Sequence, residues 1–194
     1  MIAYDERTTL VVVDVQNDFA DPAGSLAVAG ANEILPVLNE AIAAARDGGT
    51  LVVYTQDWHP PDTPHFEKDG GIWPVHCVRD SWGAALHAEL AVAGEVVRKG
   101  TDGEDGYSGF SVRDATSGET RETSLAALLR DHGIQTVVVA GLATDYCVRE
   151  TALDSIRLGF VTYVLTEAVR AVDLEPGDGE RALAAMRAAG VRSA

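Results

Sequence analysis

Cys147 follows an apolar run, Val137-Val-Val-Ala-Gly-Leu-Ala-Thr-Asp-Tyr-Cys147, in which small residues break the run just before an amphipathic stretch begins. A thiol at such a strand-to-helix turn sits among unpaired backbone N–H groups that carry partial positive charge. This setting favours thiolate over thiol and leaves donors free to hold an oxyanion. Two further apolar runs lead into ionisable residues: Thr9-Leu-Val-Val-Val13 into Asp14, and Glu95-Val-Val-Arg98 into Lys99. A carboxylate that moves a proton, an ammonium that balances charge and a thiol that attacks are together sufficient for covalent acyl transfer. Taken singly, each has a plain alternative: Asp14 can open a turn, Lys99 can end a solvated strand and Cys147 can pack as a small hydrophobe. Their equivalent placement after separate strands favours the chemical reading.

A second set of reactive residues lies between these runs. The segment Gln56-Asp57-Trp58-His59-Pro-Pro-Asp-Thr-Pro-His65-Phe66, followed by Trp73-Pro-Val-His76-Cys77, holds three of the five histidines. A connection this long between core elements is usually functional. In extended chain Asp57 and His59 point to the same side, so one carboxylate and one imidazole can meet a cation together, with His76 closing the set and His65 a further candidate ligand. Nitrogen and oxygen donors of this kind suit Zn²⁺, Fe²⁺ or Mn²⁺. The competing reading has these histidines merely bonding backbone carbonyls beside prolines. Cys77, directed away from its neighbour His76, reads as packing.

The elements that must position these groups are short and Val-rich: Thr9 to Val13, Leu51 to Thr55, Glu95 to Arg98, Thr136 to Ala140 and Val161 to Leu165. Continuous apolar runs suit strands buried on both faces. Helical spacing separates several of them, at Ile34, Leu35, Leu38 and Ile42, at Leu125, Leu128 and Leu129, at Val148, Ala152 and Ile156, and at Leu183 and Met186. Asn32 or Thr123 can cap helix starts, and Gly133 and Gly159 stand where helices should stop. Alternating strands and helices predict an α/β fold, a three-layer α/β/α arrangement on a mostly parallel sheet, whose sixth strand has only Val191 and its neighbours to form from. In such sheets ligand sites lie beyond the carboxyl ends of the strands, so Asp14, Asp57, Lys99 and Cys147 should converge.

With 194 residues the chain is expected to form one domain, 1–194, carrying a metal- and substrate-binding region at about 56–80. A formal charge of −15 argues against nucleic acid and anionic membrane surfaces as partners and favours small, neutral or cationic substrates. No apolar stretch approaches the roughly 20 residues of a membrane span, and the N-terminus lacks the basic and apolar regions of a secretory leader, which predicts a cytoplasmic protein. The two cysteines, Cys77 and Cys147, fit free thiols in a reducing compartment better than a disulfide.

Taken in order, Asp14-Val-Gln-Asn-Asp-Phe19, Asp57-Trp-His59, Trp73-Pro-Val-His76-Cys77, Lys99-Gly100 and Gly141-Leu-Ala-Thr-Asp-Tyr-Cys147 resemble the nicotinamidase/pyrazinamidase branch of the isochorismatase-like cysteine hydrolases. The resemblance runs through nearly the whole chain. It implies a six-stranded parallel sheet with helices on both faces. It implies a catalytic triad of Cys147, Asp14 and Lys99, and an oxyanion hole built from the N–H groups of Ala143 and Cys147, with a cis peptide at Leu142–Ala143. Phe19 and Trp73 match aromatic positions that enclose a pyridine ring, and Tyr107 resembles another pocket-lining aromatic. Asp57, His59 and His76 match ligands of one divalent metal, commonly zinc or iron, and His65 matches a histidine ligand present in some members.

The activity implied is hydrolysis of nicotinamide to nicotinate and ammonia through a thioester, in the service of NAD salvage, with pyrazinamide fitting the same pocket. Two rival readings stand beside it: a metal-poor amidohydrolase acting on a carbamoyl or ureido substrate with the same triad, and a non-catalytic metal-binding regulator. The sequence leaves open the metal, whether the chain is a monomer or a homo-oligomer, and whether the acidic loop 101–106 covers the pocket.

Overall fold

The computed structural model describes residues 2–194. Six parallel strands form the central sheet: β1 (Thr8–Val13), β2 (Leu51–Asp57), β3 (Glu95–Lys99), β6 (Thr136–Leu142), β7 (Val161–Arg170) and β8 (Arg192–Ser193), in spatial order β3-β2-β1-β6-β7-β8. Alternate residues of the inner strands enter two separate cores, as a sheet covered on both sides requires. Leu10 and Val12 of β1, Val52 and Tyr54 of β2 and Val138 of β6 pack on one face against Leu35, Leu38 and Ile42 of α2 (Leu35–Asp47). Val11 and Val13, with Val53, Val137 and Val139, pack on the other. There they meet α3 (Leu125–Asp131), α4 (Arg149–Arg157) and α5 (Asp178–Ala188). The result is the expected α/β/α sandwich, with the brief sixth strand formed just beyond Val191.

Every strand run identified from sequence forms, but four of the five strands extend further than those runs do. β2 continues to Asp57, β3 to Lys99 and β7 to Arg170, because pairing with a neighbour holds polar residues in strand geometry after the hydrophobic pattern stops, and β6 continues through Gly141 to the buried Leu142. This matters for the site. Asp57 and Lys99 are strand residues paired in register on adjacent parallel strands, so their side chains emerge side by side. Chain direction across the sheet reverses between β1 and β6, and Asp14 and Cys147 flank that reversal.

Some expectations need correction. Asn32 caps no helix, because it lies inside a 3₁₀ turn, Ala31–Ile34, that makes no side-chain cap bond. Thr123 does serve a helix start: its Oγ1 accepts the Leu125 N–H at 3.2 Å. Gly133 and Gly159 stand just past α3 and α4 with positive φ, as anticipated. The one-turn helix α1 (Asn17–Ala20) and the hairpin β4 (Ser111–Arg113) with β5 (Thr120–Glu122) carry no periodic apolar signal and went unforeseen. Among the described residues no helix is long and apolar enough to cross a membrane.

At Gly141 the β6 backbone leaves no room for a side chain beside β1. Its φ is +111°, and a Cβ there would lie 2.2 Å from the Val13 carbonyl oxygen. Only glycine fits both the torsion and the approach. Gly141→Ala is therefore expected to lower unfolding stability by more than about 2 kcal/mol in a urea titration. A change within about 0.5 kcal/mol, the range of an ordinary surface substitution, would contradict the close approach.

Candidate active site

Asp14 leaves β1 with φ +49°, a left-handed turn that aims its carboxylate across the ends of β2 and β3. Thr55 Oγ1 donates to Asp14 Oδ1 at 2.6 Å and accepts the Asp14 N–H at 3.2 Å, so a hydroxyl on β2 fixes the carboxylate's rotation. Lys99 Nζ lies 2.9 Å from Asp14 Oδ2, 3.6 Å from Cys147 Sγ, and against Asp57 Oδ1. Asp14 Oδ2 makes no aligned hydrogen bond, so it keeps acceptor capacity inside a site where Asp14 and Lys99 are each about 1% exposed. Donor atoms of Asp14, Asp57 and Cys147 all fall within 4.8 Å of one another. The three residues predicted as a triad are thus together, and Asp57 joins them.

Burial raises the Asp14 pKa above the usual carboxylate range; Lys99 opposes this and the Asp57 charge adds to it. Burial alone would lower Lys99, yet the two flanking carboxylates hold its ammonium well above the ordinary value. Asp57 is also penalised by burial, but Lys99, His59 and His76 outweigh that and keep it ionised. For Cys147 the sequence-based expectation of a ready thiolate fails. Burial first, and then the Asp14 and Asp57 charges, push the thiol well above its usual pKa against the pull of Lys99. Two carboxylates against one ammonium already leave an excess negative charge, so the resting site favours the neutral thiol.

The local backbone differs from expectation as well. Cys147 does not open an α-helix directly but lies in a π-helical turn, Thr144–Val148, in which the Val148 N–H reaches the Ala143 carbonyl at 3.1 Å. Such turns recur at functional sites because they re-aim one side chain without breaking the helix that follows. The Leu142–Ala143 peptide just before it is cis. Asp145, within the turn, accepts the N–H groups of Val172 and Asp173, each at 2.9 Å, and ties the nucleophile's turn to the end of β7.

Beside this cluster stands a second one. Donor atoms of His59, His65 and His76 lie within 4.8 Å of one another, all buried. His65, which sequence left as a further candidate ligand, is buried and stacks on His59 at 4.7 Å between ring centroids. His76 Nδ1 lies 2.7 Å from the Pro74 carbonyl and His65 Nδ1 lies 2.7 Å from Asp105 Oδ1. Both partners accept, so each Nδ1 carries the proton and each Nε2 presents a lone pair. Neither nitrogen of His59 has any partner. Burial, reinforced by the nearby imidazoles and Lys99, pushes His59 down to about 4, so its ring is neutral at pH 7.

His59, neutral and without a partner at either nitrogen, and two converging imidazoles held at Nδ1 are what a divalent metal requires, and an apolar core would not tolerate such an orphaned ring. Asp57 is more divided than predicted, for one oxygen faces Lys99 and the other lies 3.9 Å from His59 Nε2. It stands between the two clusters as a donor available to either. Gly100, with φ +76°, leaves the room His59 occupies, since a Cβ there would sit 2.6 Å from His59 Nδ1. Gln16 accepts the Asp57 N–H at 2.8 Å and donates to the Asp57 carbonyl at 2.7 Å, and so holds the strand end between the clusters.

Both clusters open on one cavity, whose lining includes Phe19, Trp73, Tyr107, Ala143 and Cys147. Trp73 Nε1–H donates to Tyr107 Oη at 3.0 Å, and burial raises the Tyr107 phenol to about 12, so it remains neutral. Sequence reasoning missed Tyr146, which meets Trp73 edge-on at 4.9 Å and Tyr107 at 5.2 Å. Its position beside the nucleophile was the available signal. Thr55, Asp105 and Gln16 were also missed, since nothing in a linear sequence reveals which polar residues meet across strands. Cys77 is buried in the core with no role in the cavity, as read.

Residues 8–193 match the family profile described as the isochorismatase domain. The chain is 38% identical to the nicotinamidase of Escherichia coli (strain K12), over 93% of this chain and 91% of that protein. Among solved structures, the pyrazinamidase of Pyrococcus horikoshii in complex with zinc superposes with a TM-score of 0.86 at 39% identity, covering 97% of this chain and 98% of that one. PnC1 from L. infantum in complex with nicotinate superposes with a TM-score of 0.89 at 36% identity, covering 100% of this chain and 95% of that one.

The depressed His59 pKa has a consequence for the metal-free protein. An unfolded histidine takes its proton near pH 6.5, whereas the folded ring resists until about 4. The unfolded state therefore binds the proton first as pH falls, and stability is lost between about pH 6.5 and 4, at up to roughly 1.4 kcal/mol per pH unit from this group. Urea titrations of metal-free protein at pH 7 and pH 5 should show this loss, and His59→Gln should reduce it. An equal loss in the variant would contradict the assignment.

Proposed function

The chain belongs to the isochorismatase domain family, and from that premise we propose that it hydrolyses nicotinamide to nicotinate and ammonia through a thioester on Cys147, with pyrazinamide as a further substrate. The observation that carries this reading is the shared cavity: a thiol, carboxylate and ammonium cluster and an imidazole cluster border one aromatic-lined space. The first suits acyl transfer from a carboxamide, and the second suits a ring that offers a nitrogen lone pair. Nicotinamide has both at fixed separation.

In this reading Phe19, Trp73 and Tyr107 hold the flat ring and set the angle at which the carboxamide meets Cys147. Asp14, whose pKa burial raises, accepts the thiol proton as sulfur attacks the amide carbon. The developing oxyanion is received by the N–H groups of Ala143 and Cys147. Losing one such donor in comparable sites costs about 3 to 4 kcal/mol. Asp14 then returns the proton to the departing nitrogen, and ammonia leaves because it leaves protonated. Water enters, Asp14 removes its proton, and attack on the thioester releases nicotinate and restores the thiol. Lys99 remains charged throughout and keeps the negative groups around it from repelling one another.

The metal donors assigned are Asp57, His59, His65 and His76, and this nitrogen-rich set suits Zn²⁺ or Fe²⁺, with Mn²⁺ also compatible. A metal held there supplies a Lewis-acidic anchor for the ring nitrogen. The residues around it set tautomer and direction.

Ammonia release from nicotinamide by metal-loaded protein is the test. Wild type should release it, Cys147→Ala should release none while retaining metal, and Asp14→Asn should fall on the order of 10² to 10⁴-fold in turnover. Near-normal turnover in Asp14→Asn would remove Asp14 from the proton path. Release from a ureido or carbamoyl compound but not from nicotinamide would overturn the substrate assignment and leave the thioester chemistry standing.

A further inference from the structure

The acidic loop between β3 and the β4–β5 hairpin is tied to the histidine segment at three points. Thr63 Oγ1 donates to the Gly103 carbonyl at 3.2 Å, Trp73 Nε1 donates to Tyr107 Oη at 3.0 Å, and between them Asp105 Oδ1 lies 2.7 Å from His65 Nδ1. The loop's other side is also held. Asp105 exchanges both backbone hydrogen bonds with Arg113, at 2.7 and 2.6 Å, and the buried Glu104 accepts from Arg121 at 2.8 Å and from the Asp102 N–H at 2.8 Å. Asp105 is thus the residue through which the hairpin, fixed by its own backbone pairing, reaches the imidazole cluster.

We propose that Asp105 is a positioning residue that makes His65 a metal ligand, and that it thereby couples the order of loop 101–107 to metal binding. This rests on the reading that the imidazole cluster holds a divalent metal. By accepting the Nδ1 proton, Asp105 assigns the tautomer in which Nε2 of His65 bears the lone pair, restricts rotation of the ring, and makes the nitrogen a stronger donor. Without it, His65 is free to place its proton on Nε2 and to turn away from His59. The coupling runs in both directions. If ordered Asp105 strengthens the metal site, bound metal must by the same free energy favour the loop conformation that presents Asp105, and with it Tyr107 at the cavity wall. An acidic stretch that looks like a solvated connection is in this view part of the metal centre.

Zn²⁺ titration of metal-stripped protein tests the first half. Asp105→Ala should weaken Zn²⁺ binding on the order of 10- to 100-fold, as loss of a partner that orients a metal ligand does elsewhere, and Asp105→Asn, which keeps an acceptor, should weaken it less. On a His65→Ala background, Asp105→Ala should have no further effect, because the residue it positions is gone. Co²⁺ in place of Zn²⁺ gives a spectroscopic check, for Asp105→Ala and His65→Ala should shift the visible spectrum alike. Hydrogen exchange tests the second half: amides of 101–107 should slow on adding Zn²⁺ in wild type and not in Asp105→Ala. Unchanged affinity in Asp105→Ala, or an equal loss when His65 is already alanine, overturns the role of Asp105. Exchange in 101–107 that ignores Zn²⁺ overturns the coupling. Wild-type protein that binds Zn²⁺ and hydrolyses nicotinamide while these arms fail leaves the proposed function intact. Protein that takes up no Zn²⁺ sinks the metal reading itself.

Discussion

An ammonium group about 1% exposed between two buried carboxylates is the constraint on which the site depends. Removing such charges from water costs several kcal/mol for each ion unless the opposing charges are placed with good geometry. That geometry comes from the sheet. Asp57 and Lys99 are in-register partners on β2 and β3, Asp14 turns toward them immediately after β1, and Thr55 locks its carboxylate. Because the strands are parallel and adjacent, their carboxyl ends are level and the charges meet with little freedom to separate. The buried cluster in turn determines the state of Cys147, which rests as a thiol because a third negative charge has no place there.

Asp57 links this cluster to the imidazoles. One of its oxygens belongs to the ammonium and the other faces His59, so the charge on the imidazole side is felt directly by the proton-transfer side. Gln16 bonds both the N–H and the carbonyl of Asp57, which keeps that shared position from drifting toward either neighbour. The aromatic cavity spans the same junction. Trp73 belongs to the histidine segment, Tyr146 to the nucleophile's turn and Tyr107 to the acidic loop, and their mutual contacts close three otherwise separate pieces of chain around one space.

Much of this was legible in the residues. Runs such as Val137-Val-Val read as buried strands because nothing else tolerates so many β-branched residues without polar relief, and the reactive groups were visible because each follows such a run. What could not be read is instructive. The π-helical turn at Cys147 has no sequence signal distinct from an α-helix. The protonated state of Cys147 depends on burial by groups far apart in sequence, and local reasoning from helix-end N–H groups gave the opposite answer. The β4–β5 hairpin is polar and short, so its pairing is dictated by tertiary context, and with it the position of Asp105. His65 follows a proline in a segment without periodicity, and only the folded chain shows it stacked on His59.

All three imidazoles and the indole of Trp73 come from a single excursion, residues 58–94, inserted between two adjacent strands. The proton acceptor and the ammonium come from strand ends and the nucleophile from a turn beyond a strand, so none of the three belongs to that excursion. This separation makes the protein divisible for descent and for engineering. A lineage can re-sequence the ring-binding part of one segment and so change which molecule is seized, while the inherited bond-breaking residues lie elsewhere in the chain. Asp57 marks the seam, for it is the one donor to the imidazole side that the scaffold itself owns, and any graft would have to respect its loyalty to Lys99.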